Sequence, residues 1–209
     1  MTQKQQLILA SGNKGKLIEL QSALAGLNIE LIPQPKTIEY EVEETGTTFV
    51  ENAIIKARHA SLLSGLPCIA DDSGLVINAL GGEPGVKTAR YAGVGCDSQD
   101  NMDLILHNLS GYSDLEQRRA TFICVLVYMR SAYDPLPIIA IGEWHGAIAK
   151  EKSGADGFGY DPLFWDFDSQ MTAAQMSKQQ KASCSHRAQA CQLLKKQLEK
   201  LWNKSFPHL

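Results

Sequence analysis

The chain has 209 residues, 44% of them hydrophobic and 21% charged, which is enough to bury a sizeable core in a single domain. A net charge of −3 argues against a protein that coats nucleic acid, so any phosphate site must be local. The longest apolar run near the N-terminus, Leu7 to Ala10, is far too short for a membrane span or a signal-peptide core.

In chain order, Gln6 to Ala10 reads as a short buried strand, and Lys16 to Leu27 as a helix with Leu17, Leu20, Leu24 and Leu27 on one stripe. Between them lies a turn rich in glycine and lysine. Thr48 and Glu51 have the spacing of a capping box, and Ala53, Ala57 and Ala60 follow at helical period, predicting a helix over 49–64 that ends before Pro67. Cys68 to Ala70 reads as a strand, broken by a turn at Asp71-Asp72-Ser73-Gly74 and resumed at Leu75 to Ile77, with a turn-rich stretch at Gly81 to Gly85. Ser98 to Leu109 is expected to be helical. Ala120 to Tyr128 and Ile138 to Ala149 suit two long paired strands, and Ser185 is placed to cap a last helix through Leu201, with Ala190, Leu194, Leu198 and Leu201 inward. The sum is an α/β protein with a mixed sheet. Five cysteines with no C-x-x-C pair (Cys68, Cys96, Cys124, Cys184 and Cys191) fit free thiols, and with them a cytoplasmic location.

Four stretches carry chemistry. Ser11-Gly12-Asn13-Lys14-Gly15-Lys16 is neither a Walker A loop nor a dinucleotide fingerprint, because the glycine spacing is wrong for both. Amides at a helix N-terminus with two lysines nevertheless make an anion site, and a solvated turn is the plain alternative. Asp71 and Asp72 directly follow an apolar strand, where buried carboxylates call for a cation. One of Glu41, Glu43 and Glu44 is available to join Asp72 around Mg²⁺. Gly154 to Pro162 is a glycine-rich loop whose Phe158 and Tyr160 offer either a stacking face for a planar ring or core filling. Lys181, His186 and Arg187 gather at a helix N-terminus, where their charge calls for an anionic or polar ligand.

Seven motifs in order, S-G-N-x-x-K at 11–16, E-E-T-G-x-T-F-x-E-N-A at 43–53, A-D-D-S-G-L at 70–75, G-G-x-P-G at 81–85, A-R-Y-A-G at 89–93, F-G-Y-D-P at 158–162 and S-H-R at 185–187, closely resemble the inosine/xanthosine triphosphate pyrophosphatase family over nearly the whole chain. The resemblance implies a mixed twisted β-sheet with flanking helices, two lobes around a central nucleotide cleft, and one domain of this type over 1–209. It implies Mg²⁺-dependent hydrolysis of ITP, dITP and XTP to the monophosphate and pyrophosphate, usually by a homodimer, with a small-molecule substrate and neither nucleic acid nor membrane as partner.

Carried over by residue, Ser11, Gly12, Asn13, Lys14, Gly15 and Lys16 hold the triphosphate, and Lys56 lies near the phosphates. Asp72 is the catalytic carboxylate and a metal ligand. Ser73 stands beside the substrate, and Glu43 is the second metal carboxylate, with adjacent Glu44 as the alternative. Phe158, Gly159, Tyr160 and Asp161 line the nucleoside pocket, Lys181 binds substrate, and His186 with Arg187 addresses base or phosphates. Two departures stand out: Met171 and Gln175 occupy positions where many relatives have a lysine and a carboxylate. A nucleotide sensor without turnover, a pyrophosphatase for modified pyrimidine triphosphates and a purely structural module are the competing readings, and a substrate panel separates them.

Overall fold

The computed structural model describes residues 4–205. Eight strands and five α-helices alternate among them: β1 (Gln5–Ala10), α1 (Lys14–Ala23), β2 (Ile29–Pro33), α2 (Phe49–Ser64), β3 (Cys68–Ile77), β4 (Pro84–Gly85), α3 (Ser98–Asn108), β5 (Arg119–Met129), β6 (Ile138–Ile148), β7 (Phe164–Asp166), β8 (Met171–Thr172), α4 (Lys178–Cys184) and α5 (His186–Ser205). The strands follow the order β2-β1-β3-β5-β6-β7-β8, with β4 pairing on β3. β1 is parallel to β2 and β3, whereas β3–β4, β6–β7 and β7–β8 are antiparallel, so the α/β fold has the mixed sheet expected.

The described residues form two compact units, the first of residues 4–72, Cys124–Gly142 and residues 187–205, the second of Ser73–Ile123 and Glu143–His186. Strands β3, β5 and β6 contribute residues to both. In the first unit the leucine stripe of α1 meets the inner face of α5. Leu20, Leu24, Leu194 and Leu198 are at most 2% exposed and pack with Leu7, Leu9, Ile69 and Leu126. The second unit has its own core of Leu75, Ile77, Ile105, Leu109, Phe122, Trp144, Leu163 and Phe164.

Local signals account for the helix ends. Asn13 caps α1 by accepting from the amides of Gly15 and Lys16, and the helix stops four residues short of the expected Leu27, at Ala23, ahead of Gly26 with φ +91°. Thr48 and Glu51 form the expected capping box of α2, and Gly65 closes that helix in the left-handed region.

One expectation fails: β3 runs unbroken from Cys68 to Ile77, through the Asp71-Asp72-Ser73-Gly74 stretch read as a turn. Asp and Gly favour turns only where their polar groups have no better partner, and both carboxylates here are paired with cations across the fold. The short strands β2, β4, β7 and β8 and the seven-residue helix α4 give too little periodicity to be predicted.

Candidate active site

In the first unit, β1 delivers the chain to the glycine-lysine turn, where Ser11 Oγ accepts from the Asn13 amide at 3.2 Å and Asn13 Oδ1 accepts from Gly15 and Lys16 at 2.8 and 3.2 Å. Lys14 points to solvent, whereas Lys16 turns inward to Asp71 Oδ1 at 2.5 Å. The other oxygen of Asp71 accepts from Arg187 Nε at 2.8 Å and lies 3.7 Å from Cys124 Sγ. Arg187 Nη1 reaches Glu19 Oε2 at 2.7 Å. Burial alone would lower the Arg187 pKa, but Asp71, with Glu19, holds it above the ordinary arginine range.

This four-residue network was not expected from sequence. Arg187, assigned to base or phosphates, is 4% exposed and spends its guanidinium on two carboxylates; Asp71 was read as a carboxylate calling for a cation, without its partners, and Glu19 was not singled out. Asp71 is the fourth residue of a fully buried run, and Glu19 lies one turn from Lys16 on α1.

Next along β3, Asp72 Oδ1 receives the Lys56 ammonium at 2.5 Å, and the same ammonium lies 3.1 Å from Glu44 Oε1. Burial raises the Asp72 pKa against the pull of Lys56. For Lys56, burial works to lower the pKa, but Asp72 and Glu44 together raise it, so the amine stays cationic. Glu44, not its neighbour Glu43, faces this pair; Glu43 is exposed. The loop bearing Glu44 is fixed by Asn52, whose Oδ1 accepts from the Gly46 amide at 2.8 Å. A Cβ at Gly46 would come within 2.7 Å of that same oxygen, which explains the glycine.

Among the described residues no group of three or more His, Cys, Asp and Glu could hold a metal ion. Asp72 Oδ2 is nevertheless buried with no hydrogen-bond partner among them, an oxygen donor of the kind a hard divalent cation takes. With Glu44 it gives the one or two carboxylates that Mg²⁺ prefers, so the residues fit the group.

In the second unit, Asp161 organises the glycine-rich loop. It is 3% exposed, and its Oδ2 accepts from the Phe158 amide at 2.8 Å and from Lys181 Nζ. That ammonium also lies 5.1 Å from the centre of the Phe158 ring. Phe158 is 43% exposed, whereas Tyr160 is core, its hydroxyl donating to Thr88 O at 2.7 Å and its pKa pushed up by burial. Gly159 at φ +64° makes the bend between them. The His186 ring stacks on Phe122 with centroids 4.8 Å apart, and Phe122 packs on Phe164. Ser73, half-buried, follows Asp72 along β3. Gln175 accepts from Thr172 N at 2.9 Å as a cap and Met171 packs on the core, so both departures have structural roles here.

The G-G-x-P-G and A-R-Y-A-G stretches support this loop. Thr88, between them, donates from its hydroxyl to Gly85 O and accepts from Leu75 N, and Asn101 Oδ1 accepts from Ala92 N. Among the described residues no helix is long and apolar enough to cross a membrane.

Known proteins resemble this chain over nearly its whole length. The chain is 50% identical over 190 residues, 91% of its length and 96% of the relative's, to a dITP/XTP pyrophosphatase of Pectobacterium atrosepticum, and 47% identical over the same shares to one of Salmonella typhi. A solved structure of a HAM1 protein from Coxiella burnetii matches at a TM-score of 0.88 and 46% identity, covering 94% of this chain and 99% of that one. The Staphylococcus aureus Ham1 protein matches at 0.84 and 38% identity, covering 94% and 100%. With the Ham1 family model matching residues 7–197, a span that includes every motif read above, the chain belongs to the Ham1 family.

Proposed function

We propose that this protein hydrolyses the deaminated purine nucleoside triphosphates ITP, dITP and XTP to the monophosphate and pyrophosphate. The observation that carries the reading is Asp72: buried, raised in pKa, with one oxygen on Lys56 and the other without a partner, in a chain half identical to a dITP/XTP pyrophosphatase.

Asp72 and Glu44 would hold Mg²⁺, which supplies charge neutralisation at the phosphate oxygens. Asp72 orients the attacking water and takes its proton; a carboxylate whose pKa burial has raised is a better base than an exposed one. The water oxygen forms a bond to the α-phosphorus as the bridge to the β-phosphate breaks, and the electron pair leaves on pyrophosphate. Charge growing on the bridging and nonbridging oxygens is met by the cations of the first unit, Lys14 and Lys16 on the turn of Ser11, Gly12, Asn13 and Gly15, together with Lys56. Within the second unit, Phe158 offers a face to a purine ring, and Gly159, Tyr160 and Asp161, with Lys181 on Asp161, fix that loop. Arg187 acts through Asp71, as a strut under Lys16. A site that hydrogen-bonds the 6-oxo group and the protonated ring nitrogen rejects ATP, because an amino group there leaves buried groups unpaired.

The same reading makes the enzyme Mg²⁺-dependent, homodimeric and cytoplasmic, with no nucleic-acid partner. Its test is pyrophosphate and orthophosphate release from ITP, dITP, XTP, ATP and GTP, with and without Mg²⁺, beside Asp72→Asn. Pyrophosphate from the deaminated purines alone, lost without metal or without the Asp72 carboxylate, is expected. Orthophosphate from all triphosphates alike, or no turnover, overturns it.

A further inference from the structure

We propose that Lys56 is the resident counter-ion of the Asp72–Glu44 carboxylate pair, and that a divalent cation enters the pair only as Lys56 leaves it. The free protein then binds metal weakly, and a triphosphate that draws the ammonium away raises metal affinity. The inference rests on reading the site as a nucleotide hydrolase and adds the order in which its cations exchange.

The two carboxylates best placed to hold a metal are the two that the Lys56 ammonium touches, at 2.5 and 3.1 Å. Their combined charge of two is already half neutralised. A divalent cation bound to the same oxygens would sit within a few ångströms of that ammonium in a part-buried site, where like charges repel strongly. Among the described residues no third His, Cys, Asp or Glu completes a cluster that would outbid the lysine. Asp72 Oδ2 remains open, so cation exchange at this carboxylate requires no other bond to break.

Lys56 also has somewhere to go. Its ammonium rides on a flexible four-carbon stem, and a triphosphate at the glycine-lysine turn offers several negative charges. Lys16 differs sharply: its partner Asp71 is locked from the other side by Arg187, and no unpartnered oxygen invites a competitor. The two lysines therefore divide the work, Lys16 fixed and Lys56 exchangeable. Coupling of this kind is reciprocal, so metal must strengthen triphosphate binding by the factor by which triphosphate strengthens metal binding.

The test is Mn²⁺ binding to the full chain without nucleotide, read from the electron paramagnetic resonance of free Mn²⁺ at pH 8, for wild type, Lys56→Gln, Lys56→Met and Lys56→Gln with Asp72→Asn. Wild type is expected to bind weakly, both single variants at least about tenfold more tightly, and the double variant no better than wild type. The proposal is overturned if wild type alone binds Mn²⁺ in the low micromolar range, an order of magnitude set by ordinary tight metal sites. It is overturned equally if folded Lys56 variants bind no more tightly than wild type. Pyrophosphate release from dITP by wild type is measured in parallel: its absence sinks the hydrolase reading and leaves the Mn²⁺ result to stand or fall on its own.

Discussion

Replacing Asp71 with asparagine tests the buried network most directly. The substitution keeps the side-chain shape but removes one negative charge at a position whose side chain is 0% exposed. An asparagine has one acceptor oxygen where Asp71 uses two, and whichever way the amide faces, its NH₂ meets a cationic donor, either Lys16 Nζ or Arg187 Nε. Breaking a buried ion pair from one side costs about 3–5 kcal/mol. The lower end applies here, because Lys16 is 18% exposed and can turn to water, while Arg187 keeps Glu19. About 3 kcal/mol is a large share of the roughly 5–15 kcal/mol that holds a domain folded, and for a chain of this size it lowers Tm by about 6–12 °C. Urea unfolding and thermal melts of wild type and Asp71→Asn measure it, and kcat/KM for dITP should fall as Lys16 loses its anchor. A variant melting within about 2 °C of wild type, with activity intact, would refute the argument that the network is closed and buried.

Two further outcomes follow from other parts of the molecule. Asp134 accepts from the Arg130 side chain, the Arg130 amide and the Leu136 amide, which hold its carboxyl well below the usual range. A depressed carboxyl stabilises the fold above the unfolded value of about 3.9 and loses that contribution as pH falls toward the folded one. Asp134→Asn should therefore cost about 1–2 kcal/mol at pH 7, discounted because Arg130 is half exposed, and progressively less as pH falls below about 4; a loss that stays constant down to about pH 2 in urea titrations contradicts the assignment. Gly157 has φ +85°, and a Cβ there would collide with the Asp161 carboxylate, so Gly157→Ala should lower kcat/KM at least about tenfold by displacing Phe158 and Lys181, with a loss of only about 1–2 kcal/mol in stability. Activity within twofold of wild type would show that the loop geometry is not needed.

By itself the sequence determined what depends on neighbours along the chain. The capping box of Thr48 and Glu51, the alanine stripe of α2 and the leucine stripe of α5 are set by residues three or four apart, and they appear where their spacing puts them, while α1 ends before Leu24 and Leu27 of its expected stripe. The type of the site was legible too, because carboxylates after a buried strand and lysines on a glycine turn require cations and anions wherever they end up. Tertiary structure alone decided which group meets which. Asp71 finds Lys16 across 55 residues and Arg187 across 116, and those distant partners turn a predicted break into continuous strand. The choice of Glu44 over Glu43 depends on the loop pinned by Asn52, and the inward turn of Arg187 and Tyr160 on Asp71 and Thr88. A charge pair buried between distant elements leaves no local pattern, since each partner alone looks like an ordinary polar residue; only packing, which removes water from both, makes the pairing obligatory.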